Sequence, residues 1–566
     1  MKLTGAQAFI KCLEEHGVEV IFGYPGGALI DVYDELMKQD HVHHVLTRHE
    51  QAAVHAADAY GRVKGEVGVA LVTSGPGATN AVTGIASAYM DSIPLVVFTG
   101  QVPTKLIGND AFQEVDIVGI TRPITKHNYL VKDANELVSI IREAFHLART
   151  GRPGPVLVDL PKDVLATRIT YPESKPIRMR TYKPTYEPHP GQIEKACQSI
   201  LKAKRPVIYA GGGVIAANAN EDLTELARKL DIPVTMTLMG LGGFPGTDPL
   251  SMGMLGMHGT YFANMAVANC DVLIAVGARF DDRVTGRVDA FAPHAEIIHI
   301  DIDPSSISKN VRVDIPIVAD CKHALTAMNA WFGRSSEFSH DGVAALHKPW
   351  HDQIREWKNK HPLGYVEETD IIKPQFVIQK LNELTGGDAI ITTEVGQHQM
   401  WTAQFYHFNK PRQWATSGGL GVMGYGFPAA IGAQMAAPDK VVIDIAGDGS
   451  IQMNIQELAT CMQERLKVKV AILNNQYLGM VRQWQELFYD KHYSQTIMEV
   501  APDFVKVAEA YGAVGLRATK PSEVEPVIKE ALKTNNTVFM DFVIAREEGV
   551  YPMVPAGKAT TEMLLV

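Results

Sequence analysis

The sequence predicts an α/β protein of three domains, each a mainly parallel sheet flanked by helices. The chain has 566 residues, and a single core is excluded because cores stop growing beyond about 250–300 residues. At about 150 residues per domain, this length suggests three or four domains. Three stretches repeat a short β-branched run, a glycine-rich turn and a helical pattern, an order typical of parallel α/β units.

Composition narrows the class of partner. Charged residues make up 20% of the chain and hydrophobic residues 46%, which indicates folded domains, and the net charge of −10 argues against a general nucleic-acid binder. No apolar run approaches the ~18 residues of a membrane helix, and the charged N-terminal segment does not resemble a signal peptide. The 5 cysteines are scattered without a Cys-x-x-Cys pair. We therefore expect no disulfide framework, no structural zinc, and no nucleic-acid or membrane partner. We expect a reducing, cytoplasmic location.

The first two domains are predicted over residues 1–165 and 190–333. The clearest unit of the first has a strand, turn, helix and strand at residues 67–73, 75–80, 81–90 and 94–99. In the second, predicted strands lie at residues 206–210, 271–276 and 296–302.

The third domain is predicted over residues 372–548, and residues 549–566 form a C-terminal tail that could act as a lid. Its predicted strands lie at residues 389–393, 440–446, 468–473 and 537–543. The stretches 165–190 and 333–372 lack the α/β rhythm, and we interpret both as linkers over the domain surfaces.

Two strand ends in the third domain carry oxygen ligands. One strand ends in Gly447-Asp448-Gly449-Ser450, a helix is predicted over 451–466, and the next strand ends in Asn474-Asn475. A right-handed crossover brings both ends to one carboxyl edge, where open α/β sheets bind ligands. A carboxylate and an amide oxygen suit Mg²⁺ shared with phosphates, and glycines with a helix N-terminus suit a diphosphate. Gly-Asp-Gly alone would favour an ordinary strand-turn-helix with an aspartate N-cap; the Asn474-Asn475 pair at the end of the next strand reverses that interpretation.

Together, Gly-Asp-Gly and Asn-Asn are similar to the motif of thiamine diphosphate enzymes. The resemblance implies that Asp448, Asn475 and the Tyr477 carbonyl hold Mg²⁺ against the diphosphate. It also implies cofactor contacts from the turn and from a segment just after another strand: Gly447, Gly449, Ser450, Val395, Gly396, Gln397 and His398.

Residues 419–424 match the dinucleotide fingerprint G-x-G-x-x-G, but no convincing strand precedes them because residues 412–417 are short and polar. In the resembling family this segment has another role. Met423 matches the bulky residue that wedges between the two thiamine rings. Without the neighbouring motif, a core methionine on a glycine-rich turn would be the better interpretation.

Glu50 follows Arg48-His49 at the start of an alanine-rich helical run. A zinc protease would need a histidine at position 53, which is alanine. The plain interpretation is a carboxylate near the positive end of a helix dipole. The resemblance implies that Glu50 hydrogen-bonds the aminopyrimidine ring of the cofactor and assists its proton transfer. Family members join the first and third domains across a subunit interface, so a dimer is implied as the smallest active unit.

Longer phrases make the resemblance closer. Over nearly its whole length the chain resembles catalytic subunits of acetohydroxyacid (acetolactate) synthases, most clearly at residues 22–27, 108–114, 279–286, 479–484 and 551–554. The resemblance implies that pyruvate is decarboxylated on thiamine diphosphate and that the two-carbon unit passes to a second 2-keto acid. Pyruvate would give 2-acetolactate and 2-ketobutyrate would give 2-aceto-2-hydroxybutyrate, on the route to valine, leucine and isoleucine. A homodimer or tetramer and a small regulatory subunit are also implied.

The same resemblance assigns substrate contacts. Arg283 would bind the carboxylate of the second acid through its fork of donors, although it could instead be a surface residue paired with Asp281 or Asp282. Trp484 would favour 2-ketobutyrate through apolar contact, with core packing as the alternative. The family's access channel matches Phe112, Gln113, Lys162, Met257 and Trp484, and a loop near the thiazolium matches Gly27 and Ala28.

The middle domain offers a second phosphate site. Gly211, Gly212 and Gly213 follow a strand and suit a nucleotide diphosphate, and Asp301 ends another strand where it could meet a ribose hydroxyl. A Rossmann acid should lie ~20 residues after the glycines, whereas Asp301 is about ninety residues later, so that fingerprint fails. The resemblance implies FAD in a structural role, with matching positions at Arg152, Thr237, Leu238, Met257, His258, Gly277, Arg279, Asp320 and Cys321.

Two rival interpretations stay open at this point. The first is another thiamine diphosphate enzyme, either a pyruvate oxidase that uses FAD for electron transfer or a simple decarboxylase. Trp484 and the Phe112-Gln113 phrase weigh against it. The second is a binding protein without cofactor, against which the intact Glu50, Asp448 and Asn475 weigh.

Overall fold

The computed structural model describes residues 1–565 and divides the chain into two compact units. The first unit comprises Met1–Tyr182, Ala389–His398 and Ala415–Arg546, and the second comprises Lys183–Asp388, Gln399–Trp414 and the residues from Glu547 onward. Within the described residues there are three six-stranded sheets and one two-stranded sheet. The predicted fold class, three mainly parallel sheets flanked by helices, is confirmed.

The N-terminal sheet belongs to the first unit. The chain opens with β1 (Lys2–Thr4), and the sheet is formed by β2 (Val20–Tyr24), β3 (His43–Leu46), β4 (Gly68–Val72), β5 (Leu95–Gln101), β6 (His127–Leu130) and β7 (Pro155–Pro161). These six pair in parallel in the order β3-β2-β4-β5-β7-β6, and β8 (Arg168–Thr170) pairs antiparallel with β1. Every residue of β4, β5 and β7 is buried, as expected where helices cover both faces of a parallel sheet.

The helices of this part are α1 (Gly5–Glu15), α2 (Ile30–Leu36), α3 (Glu50–Lys64), α4 (Pro76–Asn80), α5 (Val82–Asp91), α6 (Ile117–Thr121), α7 (Leu137–Arg149) and α8 (Lys162–Ala166). Helix α3 starts where the His49 ring accepts the backbone N–H of Gln51, and it ends at Gly65, which has a φ of 78°. Such a left-handed residue after the last turn is a common helix stop.

The middle sheet lies in the second unit. Its strands are β9 (Pro206–Ala210), β10 (Val234–Met236), β11 (Ser251–Met254), β12 (Val272–Val276), β13 (Glu296–Asp301) and β14 (Ile315–Val318), all parallel in the order β11-β10-β9-β12-β13-β14. The helices are α9 (Pro190–Lys202), α10 (Gly212–Ala216), α11 (Asn220–Leu230), α12 (Tyr261–Asn269), α13 (Asp282–Thr285), α14 (Cys321–Arg334), α15 (His340–Lys360) and α16 (Pro374–Leu384).

The third sheet has the strands β15 (Ile390–Thr393), β16 (Trp414–Ala415), β17 (Val442–Gly447), β18 (Lys469–Asn474), β19 (Val514–Ala518) and β20 (Val538–Val543), in the order β16-β15-β17-β18-β20-β19. The remaining helices are α17 (Gln397–Phe405), α18 (Gly426–Ala436), α19 (Leu458–Gln463), α20 (Gly479–Phe488), α21 (Phe504–Tyr511) and α22 (Pro521–Lys533). Every strand predicted from the sequence is present, with ends shifted by at most two residues.

Two predicted stretches differ from the structure. The helix predicted over 451–466 is instead two 3₁₀ turns, Ile451–Met453 and Ile455–Glu457, followed by the short α19. Asn454 interrupts it because its side chain donates to the Gly424 carbonyl (2.6 Å). The stretch 333–372 is more than a linker, since it contains the 21-residue α15. That helix packs on the middle sheet, and the Trp350 indole donates to the Pro206 carbonyl (3.2 Å).

Within the first unit, helices α3 and α18 cross closely between the N-terminal and third sheets. A methyl group added at Gly432 would lie 1.9 Å from the Ala56 carbonyl oxygen, so only glycine fits this approach.

In the part of the chain that the structure describes, no helix has the length and apolarity to cross a bilayer. The predicted domain limits and the lid role of the tail stay predictions.

Candidate functional site

The carboxyl edge of the third sheet gathers the predicted metal ligands. Strands β17 and β18 are parallel neighbours, with Gly447 opposite Leu473. Asp448 follows the first strand directly and Asn475 follows the second, and both are buried. The crossover argument is therefore correct about where these two side chains lie.

Asp448 has an unusual environment for a carboxylate. Its Oδ2 atom is buried and has no hydrogen-bond partner among residues 1–565. Burial raises the pKa of Asp448 to about 6, although the backbone N–H groups of Asn475 and Gln476 oppose that rise. An unpartnered buried carboxylate oxygen is costly, and a divalent cation would satisfy it. This orphaned oxygen fits the predicted Mg²⁺ site.

A chain of amides links Asn475 to the 395–398 segment. The Asn475 side-chain oxygen accepts the backbone N–H of Tyr477 (3.1 Å), and its Nδ2 lies 3.5 Å from Gln397 Oε1. Gln397 in turn donates to Gln483 Oε1 on α20 (2.9 Å). Gln483 was not predicted. It lies inside the 479–484 phrase, but nothing in the sequence separates this buried amide from its neighbours.

Glycines at this edge lie so close to neighbouring side chains that they leave no room for a side chain of their own. A methyl group at Gly447 would lie 2.8 Å from His398 Nδ1, and one at Gly449 would lie 2.8 Å from a Leu478 methyl. The Ser450 hydroxyl donates to the Gly447 carbonyl (3.2 Å), which closes the turn. Burial lowers the pKa of His398 to about 3, so the imidazole beside the turn is neutral. The cradle fits a diphosphate approached by backbone rather than by charged side chains.

Met423 lies in a segment of turns between β16 and α18. Met423 is half-buried. The next residue, Gly424, is hydrogen-bonded through both its N–H and its carbonyl. The Gly424 N–H donates to Glu394 Oε2 (2.5 Å), and its carbonyl accepts from Asn454. Burial raises the pKa of Glu394 to about 7, with the backbone N–H of Phe427 and neighbouring residues opposing this. A two-residue strand, β16, precedes this segment, where the sequence offered no convincing strand.

Glu50 is the first residue of α3 and faces the turn after β4. Its Oε2 accepts a hydrogen bond from Asn80 (2.9 Å), and a methyl at Gly77 would lie 3.2 Å from Oε1. The loop that carries Gln113 lies on the same turn, since a methyl at Gly75 would be 2.9 Å from the Gln113 Cα. The structure thus brings Glu50 and Gln113 to one turn.

The other predicted channel residues of the first unit are accessible. Phe112 is 88% exposed, and Trp484 is half-buried with its ring 6.0 Å from that of Phe488. Lys162 is exposed at the start of α8, and a methyl group on Gly27 would meet nothing within 4 Å. Phe112 is therefore open to solvent, and Trp484 is partly so.

In the second unit, the glycines after β9 meet the end of β12. The Gly213 N–H donates to the Gly277 carbonyl (3.1 Å), and a methyl at Gly213 would lie 2.7 Å from the Gly277 Cα. Gly211 donates to the Val276 carbonyl (2.9 Å). Thr237 comes directly after the neighbouring strand β10, its N–H donates to the Ala210 carbonyl (2.9 Å), and Leu238 follows it. The predicted flavin glycines of this edge therefore pack backbone against backbone at the ends of β9 and β12.

The remaining flavin candidates lie in smaller groups. Asp320 and Cys321 begin α14, and the adjacent Ala319 N–H donates to the Asp301 carbonyl (3.1 Å), so these three residues lie close together. Burial, with the charges of Asp301 and Asp320, raises the pKa of the Cys321 thiol well above its ordinary value. His258 is buried, its pKa is lowered to about 4, and its Nδ1 has no partner within the described chain. An orphaned ring nitrogen and a glycine surface fit a bound polar cofactor. Arg152, by contrast, belongs to the first unit, where it donates to Ser92 (2.8 Å).

Arg283 and Met257 contact each other in the second unit. The Met257 N–H donates to the Arg283 carbonyl (2.7 Å), and a guanidinium nitrogen lies 3.9 Å from the thioether sulfur. Arg283 Nε is also 3.8 Å from a carboxylate oxygen of Asp282, with both side chains more than half exposed. An ion pair so exposed contributes little to the stability of the fold. Arg279 is 3.8 Å from Asp281.

The amino-acid sequence is similar to those of known proteins along its whole length. Three models of thiamine pyrophosphate (diphosphate) enzymes match: the N-terminal TPP-binding domain at residues 3–120, the central domain at 193–328 and the C-terminal TPP-binding domain at 394–542. The acetolactate synthase isozyme 3 large subunit of Escherichia coli is 52% identical over 568 residues, covering 100% of this chain and 98% of the relative. The chain belongs to the acetolactate synthase family.

Other relatives agree with this family. The acetolactate synthase large subunit of Haemophilus influenzae is 48% identical, over 100% of this chain and 98% of its own length. That of Corynebacterium glutamicum is 50% identical, over 99% of this chain and 90% of its own length. The predicted resemblance is confirmed, and the chain is an enzyme that depends on thiamine diphosphate. The role of each individual site residue stays a prediction.

Proposed function

We propose that this chain decarboxylates pyruvate and transfers the remaining two-carbon unit to a second 2-keto acid. With pyruvate as acceptor the product is 2-acetolactate, and with 2-ketobutyrate it is 2-aceto-2-hydroxybutyrate. The observation that carries the proposal is the glycine-lined edge that holds the unpartnered Asp448 oxygen beside Asn475. The full-length similarity to acetolactate synthase large subunits supports it.

The residues present fit the cofactors of the family. Asp448, Asn475 and the Tyr477 carbonyl would hold Mg²⁺, and the turn from Gly447 to Ser450 would receive a diphosphate. Thiamine diphosphate, when bound, supplies the electron sink that bond cleavage next to a carbonyl requires. In the second unit, the surface at Gly211–Gly213 with His258 and Asp301 would hold FAD in a structural role.

The protein side chains would then handle protons and orient substrate. Glu50, at the start of α3, would hold a proton on its carboxylate beside the turn that also carries Gln113. The Arg283 guanidinium would bind the carboxylate of the acceptor acid as a fork. Lys162, Phe112 and Met257 would line the approach of the substrate, and Gly27 and Met423 would contact the cofactor.

We propose a homodimer or tetramer as the active assembly, in which the first domain of one copy meets the third domain of another. The relatives are named as large subunits, which supports a small regulatory subunit as a further partner. Separation by size with light scattering, with and without added cofactors, measures the assembly. A chain that stays monomeric while fully active would contradict it.

Replacing Trp484 with leucine is expected to remove the preference for 2-ketobutyrate while acetolactate formation continues. The half-buried indole offers apolar contact to the extra methyl group, and one methylene in an apolar pocket is worth about 10-fold or more in discrimination. A competition assay with both acceptor acids measures the product ratio. Phe488→Leu, on the same helix, is the matched control. An unchanged ratio in Trp484→Leu would contradict the role.

The reaction is tested by its products. The purified chain with pyruvate, thiamine diphosphate, Mg²⁺ and FAD should release one CO₂ for each acetolactate formed from two pyruvate molecules. Acetolactate, CO₂, acetaldehyde and peroxide are quantified together. Peroxide as the main product would indicate a pyruvate oxidase, free acetaldehyde would indicate a simple decarboxylase, and either result would overturn the proposal.

A further inference from the structure

A cluster of buried charges lies between the N-terminal and third sheets of the first unit. Asp58 and Arg62 are on α3 and Asp91 ends α5; their side chains are 0%, 7% and 0% exposed. Arg62 Nε is 2.6 Å from Asp58 Oδ1, and Arg62 Nη2 is 3.0 Å from Asp91 Oδ2. We call these three residues the Asp–Arg–Asp cluster.

The cluster binds the backbone of a segment more than three hundred residues later in the chain. Arg62 Nη1 donates to the Thr416 carbonyl (3.0 Å). The Gly418 N–H donates to Asp91 Oδ2 (3.1 Å) and the Gly419 N–H donates to Asp91 Oδ1 (2.7 Å). The charges therefore satisfy both donors and acceptors of this backbone, which lies outside any helix or strand.

The far end of the segment is held by the same cluster. The Tyr425 hydroxyl donates to Asp58 Oδ1 (2.6 Å). Between the two ends, the Ser417 hydroxyl lies 2.9 Å from that of Ser87 and accepts the Val422 N–H (3.1 Å). Residues 416–425, which include Met423, are thus attached to the N-terminal domain at both ends.

Burying three charges is expensive, and well-packed apolar residues of similar volume often stabilise a fold as well or better. Here the charged side chains hydrogen-bond the backbone of one loop, which apolar side chains could not do. We propose that the Asp–Arg–Asp cluster positions residues 416–425 and so keeps Met423 in a fixed position beside the cofactor. The cluster residues are positioning residues, and this role rests on the proposed function of Met423.

The same helix carries the predicted proton-handling group. Glu50 begins α3, and Asp58 and Arg62 follow eight and twelve residues later, which is about 12 and 18 Å along the helix axis. Helix α3 is therefore a rigid element that connects the Glu50 turn with the Met423 segment. A cluster variant should disturb the segment without displacing Glu50.

The test replaces Asp91 with asparagine, which keeps the shape but removes the charge that pairs with Arg62. The matched control is Arg142→Gln, which breaks a pair with Glu15 (2.8 Å; the arginine side chain is 10% exposed) and a hydrogen bond to the Glu173 carbonyl. Both variants lose a sheltered ion pair of the N-terminal domain, but only Asp91 contacts residues 416–425. Amide hydrogen exchange is measured on the whole cofactor-free chain, followed by steady-state kinetics.

In Asp91→Asn, exchange over 416–425 should rise about 10-fold, and kcat should fall about 10-fold, as expected for one charge-assisted hydrogen bond. The KM for pyruvate and the Kd for thiamine diphosphate should stay within about threefold, since the diphosphate edge is untouched. Exchange over β17 should not change. In Arg142→Gln, exchange over 416–425 and kcat should both match the unmodified chain.

Equal exchange over 416–425 in Asp91→Asn and the unmodified chain would overturn the proposal. A rise spread over the whole N-terminal domain, with no selective rise over 416–425, would also overturn it. Should Asp91→Asn fail to fold, Ser87→Ala removes one contact of the segment at small cost and must raise exchange over 416–425 selectively. The exchange measurement does not depend on the reaction. A chain that makes no acetolactate, but whose Asp91→Asn variant exchanges faster over 416–425, would refute the proposed function and leave the positioning role in place.

Discussion

Replacing Glu50 with glutamine is expected to lower kcat by about 10²–10⁴-fold, the range that proton transfer by a positioned side chain contributes. Glutamine keeps the oxygen that accepts from Asn80 (2.9 Å), so the start of α3 should retain its structure. What it loses is the ability to exchange a proton with the cofactor ring. Steady-state kinetics with pyruvate, together with calorimetric binding of thiamine diphosphate, measures both effects.

The matched control for this variant is Glu523→Gln. Glu523 is also a first-turn glutamate, on α22 of the same unit, and it accepts backbone N–H groups at an exposed position. Its replacement should leave kcat within about twofold, as is usual for surface positions. Near-normal turnover in Glu50→Gln, with the cofactor bound, would refute the proton-handling role.

The second large effect is expected from Asp448→Asn. Loss of the carboxylate should weaken binding of Mg²⁺ and thiamine diphosphate by at least about 100-fold, since hard divalent cations need anionic oxygen. The cofactor-free chain should be as stable as before or more stable. The reason is that Asp448 Oδ2 is buried without a partner among the described residues, and a neutral amide costs less to bury.

Thermal unfolding measures both parts of this prediction. The unmodified chain should gain Tm when Mg²⁺ and thiamine diphosphate are added, because ligands that bind the native state stabilise it. Asp448→Asn should show no such gain. Asp439→Asn, an exposed residue before β17, should behave like the unmodified chain. A lower Tm of cofactor-free Asp448→Asn, with cofactor binding intact, would indicate a purely structural aspartate.

Local patterns in the sequence predicted the strands and the metal edge well. Parallel strands buried on both faces are apolar runs, and the crossover rule then fixes where Asp448 and Asn475 end. The resemblance added the identity of the cofactor, which the oxygen ligands alone left open. No sequence pattern could have placed Gln483, because its role depends on a glutamine 86 residues earlier.

Contacts distant in the sequence explain the failures. The helix predicted over 451–466 is interrupted because the Asn454 side chain donates a hydrogen bond to the carbonyl of Gly424, 30 residues earlier. Asp58 and Arg62, four residues apart, have the spacing of an ordinary surface ion pair on a helix. They are buried because residues 416–425 cover them. Arg62 donates to the carbonyl of Thr416, which is 354 residues later in the chain.

The most direct test of a site shared between Glu50 and Asp448 is to mix two inactive chains. Glu50→Gln and Asp448→Asn are co-expressed at equal levels with different tags, and acetolactate formation from pyruvate is measured. If each site takes Glu50 from one copy and Asp448 from the other, half of the dimers are mixed and each has one intact site. Activity should then return to about a quarter of that of the unmodified enzyme. Activity no higher than that of either variant alone would contradict the shared site.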